Sequence, residues 1–363
     1  MTLTDKRTAL FILIPMVFGL FVAIGLWFPI GSDYYLFYRA KPLELFAGTA
    51  NLYDGTGVNY GLPPWTVPVF GLTALLPLKF GQAVVITITL AALIVACLAF
   101  KHDDETLPPV YLVLVVVNVH TFDLILRANI DGFALMGLAL TWLGYKRERP
   151  LLIGVGFWLI SFKPIHLMLY SLLVLWGIRS WSWRSWVWVI TPLGLSIMAS
   201  TAFLGPAWLI EFVHYNAVTK SPFVELQTSL WRLTDIAGLP SGSAMVLTGI
   251  AFAIGLGFIV TRRQVNRWAA ILMLTLNSFF SPYSMGYHYV VHAPVLYTLM
   301  LRDRRFAFMW LLTLIPLLRL TPYYHPWMDS LYVLGLLISA VYVYWHSPEP
   351  EQAEPQPEAL PQT

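Results

Sequence analysis

Four short segments of this chain combine ionisable, amide and aromatic side chains, and each stands at the edge of an apolar run. The first is Gly31-Ser32-Asp33-Tyr34-Tyr35-Leu36-Phe37-Tyr38-Arg39-Ala40. Helical spacing puts Tyr34, Phe37 and Tyr38 on one face, which predicts a short amphipathic helix at an apolar boundary. Asp33 opens that helix, where a carboxylate serves either as an N-cap or as a general base. The second is Arg127-Ala128-Asn129-Ile130-Asp131-Gly132, a cation, an amide and a carboxylate within six positions. Its i,i+4 spacing points first to an Arg127–Asp131 ion pair and next to direct contact with a substrate. The third is Ser161-Phe162-Lys163-Pro164. Its lysine either snorkels toward water or offers a point charge to a phosphate. The fourth is Ser281-Pro282-Tyr283-Ser284-Met285-Gly286-Tyr287-His288-Tyr289, in which His288 either anchors at an interface with its aromatic neighbours or acts on a ligand. His292 lies at i,i+4 from it without a third ligand at metal spacing, so no metal site is expected. The stretch Pro206–Ser241 adds Trp208, Tyr215, Gln227, Ser229, Trp231 and Arg232. That mixture suits a sugar or a lipid headgroup, and an interfacial loop equally.

The elements that must hold these residues are set by composition. Of 363 residues, 58% are hydrophobic and 11% charged, against about one quarter charged in a soluble domain. Apolar runs of roughly bilayer-crossing length recur from Ala9 to Trp345, which predicts an all-α, polytopic transmembrane bundle over residues 1–346. Residues 347–363, rich in Pro, Glu and Gln, read as a disordered cytoplasmic tail. The net charge of +3 comes from short basic clusters between apolar runs and not from one basic face, so no nucleic-acid partner is expected; the lipid bilayer is. The lone Cys97 sits in an apolar stretch and excludes a disulfide framework. Walker, GxGxxG, HExxH and GxSxG signatures are absent.

The clusters Lys146-Arg147-Glu148-Arg149, Arg179 to Arg184, Arg262-Arg263 with Arg267, and Arg302 to Arg305 mark the cytoplasmic side. Two apolar segments fit each interval between them, and Phe306–Leu318 with Leu331–Trp345 return the tail inside. Before Lys146, the proline-rich Pro63–Leu78 segment reads as a partial or re-entrant helix and Val110–His120 as a crossing. The count is about twelve crossings with both termini cytoplasmic in a plasma membrane. Asp33, Arg127 to Asp131, Lys163, the Pro206–Ser241 loop and His288 then all face the extracytoplasmic side. A transporter would instead concentrate ionisable groups near the midplane of broken helices in two related halves.

Taken in order, these segments resemble the polyprenyl-phosphate-mannose-dependent glycosyltransferases of family 87, in the C-type glycosyltransferase superfamily. The resemblance runs through Asp33-Tyr34-Tyr35, Gly48, Leu52-Tyr53, Tyr60-Gly61-Leu62-Pro63-Pro64, Asn129-Ile130-Asp131-Gly132, Phe162-Lys163-Pro164, Gln227-Thr228-Ser229-Leu230, and Ser281-Pro282 with His288-Tyr289. It covers most of the membrane domain, and its specificity lies in the order of the elements. It implies inverting transfer of a hexose, mannose first, from a polyprenyl-phosphate donor to an acceptor glycan or glycolipid. Asp33 would deprotonate the acceptor hydroxyl, with His288 as the second group at the reaction. Lys163 and Arg127 would bind the donor phosphate. Asn129, Asp131, Gln227, Ser229, Arg232 and Tyr287 would contact substrate. No cofactor is expected, and no divalent metal, because a lipid monophosphate carries less charge than a nucleotide diphosphate. Where many relatives read Gly-Gln-x-Asn, this chain has Arg127-Ala128-Asn129 and lacks the glutamine. The alternative from another class is a lipid-linked-sugar transporter or flippase.

Overall fold

The computed structural model describes residues 3–48, 52–53, 60–102, 105–106, 108–218, 228–240, 242–261 and 265–346. The 347–363 tail, Gln227 and the Arg262-Arg263 pair lie outside the described residues. Among those described, the chain is all-helical, with no strand. Four helices are long and apolar enough to cross a membrane: Leu78–Phe100, Trp183–Leu204, Gly242–Val260 and Trp327–His346. A fifth candidate is the pair Pro109–Val116 and Val119–Arg127, bent by 50° at a short break.

The Leu78–Phe100 helix is 23 residues long, about 35 Å, enough for a hydrocarbon core of about 30 Å. It is 67% buried, whereas the Trp183–Leu204 helix is only 11% buried and Gly242–Val260 22%. The first is therefore the centre of the bundle, and the other two turn rows of Trp, Ile, Leu and Met outward. Such continuous apolar surface is stable against lipid and not against water. Leu3–Trp27 and Asp131–Lys146 pack on the central helix. Pro150–Ile160 packs on Asp131–Lys146, and Trp183–Leu204 packs on Pro150–Ile160. Arg267–Phe280 joins Met168–Gly177, Gly242–Val260 and Ser330–His346 into a second group.

Prolines set where elements begin. Pro109, Pro150, Pro164 and Pro294 all lie in first helical turns, where the missing N–H costs nothing. The breaks differ from the hydropathy reading, and two cases show why. Val110–His120 is not one helix: it stops at Val116 and restarts at Val119, where Asn118 Oδ1 accepts the Thr121 N–H at 3.0 Å. Phe306–Leu318 resolves into short 3-10 and α turns around Pro316, because proline removes a backbone donor inside the run. Val67–Ala74, with eight residues, is about 12 Å long and too short to cross. Cys97 is buried in the core.

The helices give the molecule two chemically distinct ends. Asp131 starts a helix of 16 residues whose last turn carries Lys146, so the two lie about 22 Å apart along it. Lys146 Nζ donates to the Lys101 carbonyl at 3.3 Å, and Arg267 pairs with Glu105 at 2.8 Å, gathering Lys101, Lys146 and Arg267 at one end. Gly132 lets the Asp131 helix touch the central one: a Cβ there would sit 2.1 Å from Thr89 Oγ1 and 2.7 Å from Thr89 Cα. Gly132→Val should therefore lower the melting temperature in detergent, at a cost of about 1–3 kcal/mol. Gly249→Leu should leave it unchanged, since no atom lies within 4 Å of the place a Cβ would take there. Equal melting of the two variants would refute this crossing.

Candidate active site

Asp33 reaches the second segment through a close backbone approach. The Gly31 N–H donates to Gln82 Oε1 at 2.8 Å and Gln82 Nε2 donates to the Pro29 carbonyl at 2.7 Å, which ties the end of the first helix to the central one. A Cβ on Gly31 would lie 2.4 Å from the Arg127 carbonyl oxygen, so only glycine lets the first loop lie against the Arg127–Ala128 backbone. There Ala128 adopts a left-handed conformation, φ +49°, that ends the Val119–Arg127 helix and turns the chain back. Asn129 is delivered beside Asp33, and its Nδ2 donates to Asp33 Oδ2 at 2.5 Å. Ser32 Oγ donates to the other carboxylate oxygen at 3.2 Å. Asp33 precedes the π-helical turn Tyr34–Ala40 without capping it. That turn is locked by Tyr34, which donates to the Thr73 carbonyl at 2.9 Å, and by Tyr38, stacked on Phe70 at 4.6 Å.

Asn129 Oδ1 also accepts the Asp131 N–H at 3.3 Å, linking Asp33 to a buried ionic cluster. Lys163 Nζ lies 3.1 Å from Asp131 Oδ1 and 3.2 Å from Oδ2, with the lysine side chain 13% and the aspartate 1% exposed. Lys163 Nζ is also 2.8 Å from His288 Nε2, and that nitrogen is 3.8 Å from Asp131 Oδ2. His288 Nδ1 accepts the Met285 N–H at 3.1 Å while the His288 N–H donates back to the Met285 carbonyl at 3.0 Å. Burial, and after it the charge of Lys163, hold the imidazole well below its ordinary pKa, so the ring is neutral. With Nδ1 engaged as acceptor, its one proton sits on Nε2. An ammonium and an N–H donor thus meet at 2.8 Å, and an anionic oxygen placed beside the pair could accept from both.

Aromatic rings enclose the cluster. Lys163 sits 5.3 Å from the centre of the Tyr287 ring, and the Arg127 guanidinium 4.9 Å from the same ring. Burial pushes the Tyr38 phenol well above its ordinary pKa, and the negative charges of Asp33 and then Asp131 add to it. The same causes, with Tyr283 ahead of the carboxylates, act on Tyr287. Both phenols stay protonated at any physiological pH and both feel Asp33 and Asp131 together.

The structure thus brings together Asp33, Asn129, Asp131, Lys163, Tyr287 and His288, and corrects several partners. Arg127 does not pair with Asp131: its Nε bonds Asp123 Oδ1 at 2.9 Å, because the left-handed turn at Ala128 separates the two helices that an i,i+4 pair would need to share. Its side chain is 40% exposed, at the rim of the cluster. Lys163 does not snorkel, because Asp131 offers it a buried counter-charge. His288 is wholly buried and is no interfacial anchor. Arg232 turns to Asp235 in its own helix, and Ser229, fully buried, has a hydroxyl without a protein partner. The neighbouring Thr228 ties this stretch of chain to the His288 turn: its N–H donates to the Ser284 carbonyl at 2.8 Å, and Tyr289 and Ser330 hydroxyls donate to its own carbonyl at 2.6 and 2.9 Å. Sequence reasoning missed His166, buried with its ring 4.5 Å from that of His288; a single His after Pro164 in an apolar run carries no signal of its own.

No protein-family model matches the chain, and neither does any curated protein or any solved structure.

Two outcomes test this geometry. Asp131→Asn leaves the Lys163 charge without its partner and should destabilise the protein by about 3–5 kcal/mol, whereas adding Lys163→Met should recover much of that loss. Additive effects in thermal melts would mean that the pair is not formed. Because the folded-state pKa of His288 is depressed, the unfolded chain binds a proton there below about pH 6.5 that the folded chain refuses. Stability should fall as pH drops from 7 to 5.5 by about 1 kcal/mol more in the wild type than in His288→Gln. Parallel pH profiles would contradict a buried neutral ring.

Proposed function

We propose that the chain is an integral membrane glycosyltransferase that moves a hexose, mannose first, from a polyprenyl-phosphate donor to a glycan or glycolipid acceptor with inversion. The observation that carries this reading is the Asn129 bridge, which holds the Asp33 carboxylate beside the Asp131–Lys163–His288 cluster. A base and an anion-binding group are thereby brought into one site. In this mechanism Asp33 takes the proton of the acceptor hydroxyl as its oxygen bonds to the anomeric carbon. The bond from that carbon to the phosphate oxygen breaks, and its electron pair leaves with the lipid phosphate. Lys163, and His288 through Nε2–H, face the charge that develops there. Asp131 stays with Lys163 and orients it. Asn129 fixes the carboxylate that must act as base.

The wider architecture of this reading is a bundle of about twelve crossings in the plasma membrane with both termini cytoplasmic. The cluster lies at the end of the Asp131–Lys146 helix opposite its basic residues, which supports an extracytoplasmic site. The Tyr34–Phe46 region then lies along the outer interface through its exposed Tyr35, Leu36 and Phe46, and not through the expected Tyr34–Phe37–Tyr38 face, of which Tyr34 and Tyr38 are buried in the protein.

The test is transfer from polyprenyl-phosphate mannose to a membrane-extract acceptor by the purified protein. Asp33→Asn should lower turnover at least about a hundred-fold with unchanged yield, since shape is kept. Retained turnover in that variant removes Asp33 as the base. Movement of lipid-linked sugar across liposomes without a new glycosidic product would favour the transporter.

A further inference from the structure

His166 is a buried histidine whose ring has no protein hydrogen bond at either nitrogen. Its backbone is held firmly. Asn277 Nδ2 donates to the Ile165 carbonyl at 2.6 Å, and Asn277 Oδ1 accepts the Leu169 N–H at 3.0 Å, so the Pro164–His166 turn is clamped from both sides to the Arg267–Phe280 helix. The turn follows Lys163 directly and points the ring inward, 2% exposed, against His288 at 4.5 Å between ring centres. An imidazolium buried beside the Lys163 ammonium is costly, so the ring is neutral and carries one N–H and one lone pair. Buried polar groups nearly always have partners, and an apolar ring would fill the same space without that cost. His166 also stands in one cluster with two other N–H groups: Lys163 Nζ and His288 Nε2–H meet at 2.8 Å, with Asp131 as the anion beside them.

We infer that His166 is a third N–H donor to the phosphate of a prenyl-phosphate ligand, completing with Lys163 and His288 a three-sided anion receptor. This rests on the transferase reading of the same site. A phosphate monoester offers several oxygen acceptors, enough for all three donors at once. Within the receptor the role of His166 is specific, because a neutral donor in a buried, preorganised site gains most where phosphate charge develops as the leaving bond breaks. His166 touches the leaving group and does not move a proton.

The experiment measures binding of a short-chain prenyl monophosphate, its parent prenol and inorganic phosphate to the full-length protein in nanodiscs. His166→Leu should bind the prenyl monophosphate about ten- to a hundred-fold more weakly while binding of the prenol is unchanged. His166→Gln, which keeps an N–H donor, should recover part of the affinity. Thermal melting of His166→Leu should equal or exceed that of the wild type, because an unpartnered buried group has been removed. Wild-type affinity in His166→Leu overturns the inference, and if Lys163→Met is weak in the same assay the transferase reading survives that failure. Binding of no prenyl phosphate by the wild type overturns both. Should His166→Leu not fold, the ¹⁵N imidazole resonances of His166 in the wild type decide: a shift on adding prenyl monophosphate is expected, and unmoved resonances, or a shift with inorganic phosphate alone, overturn the inference.

Discussion

The buried ion pair between Asp131 and Lys163 is the constraint on which the rest of the site depends. Taking two opposite charges out of water costs several kcal/mol for each, and neither can be left alone at this depth. Lys163 follows the Pro150–Ile160 helix and Asp131 starts the helix that packs on it, so forming the pair fixes the register of those two elements. The same lysine then reaches His288 and fixes the Ser281–Tyr289 turn against them. Three chain segments far apart in sequence are thereby held at one point by a single cation.

Around that point, each neighbour is positioned by something other than charge. Asn129 is presented by a left-handed turn, His288 by a reciprocal backbone exchange with Met285, and Asp33 by a glycine small enough to lie against another backbone. Thr228 draws a further segment onto the His288 turn through its backbone N–H and carbonyl. These devices leave the side chains of Asp33 and His288 little freedom. Such preorganisation is what a site needs if its dipoles and charges are to act on a developing charge without first reorganising.

The two ends of the molecule differ in chemistry. Lys101, Lys146 and Arg267 lie at the end where Lys146 meets Lys101 and Arg267 meets Glu105, while Asp33, Asp131 and the buried Lys163 sit about a full helix length away. Trp183–Leu204 and Gly242–Val260 turn their apolar side chains outward.

Helical class, apolar runs, basic clusters and the identity of the chemically capable residues follow from the sequence itself, because they depend on composition and on spacing along a single element. Asp33, Asn129, Asp131, Lys163, Tyr287 and His288 were legible for that reason: polar groups in an apolar chain are conspicuous wherever they occur. Their partners were not. An i,i+4 rule joins Arg127 to Asp131 only if one helix carries both, and the turn at Ala128 breaks that condition. Whether Lys163 escapes to water or stays inside depends on a carboxylate 32 positions earlier in the chain, and no local pattern encodes that distance. His166 shows the same limit most plainly: its residue type was in view, but only tertiary packing, which buries it against His288 without a partner, made it part of the site.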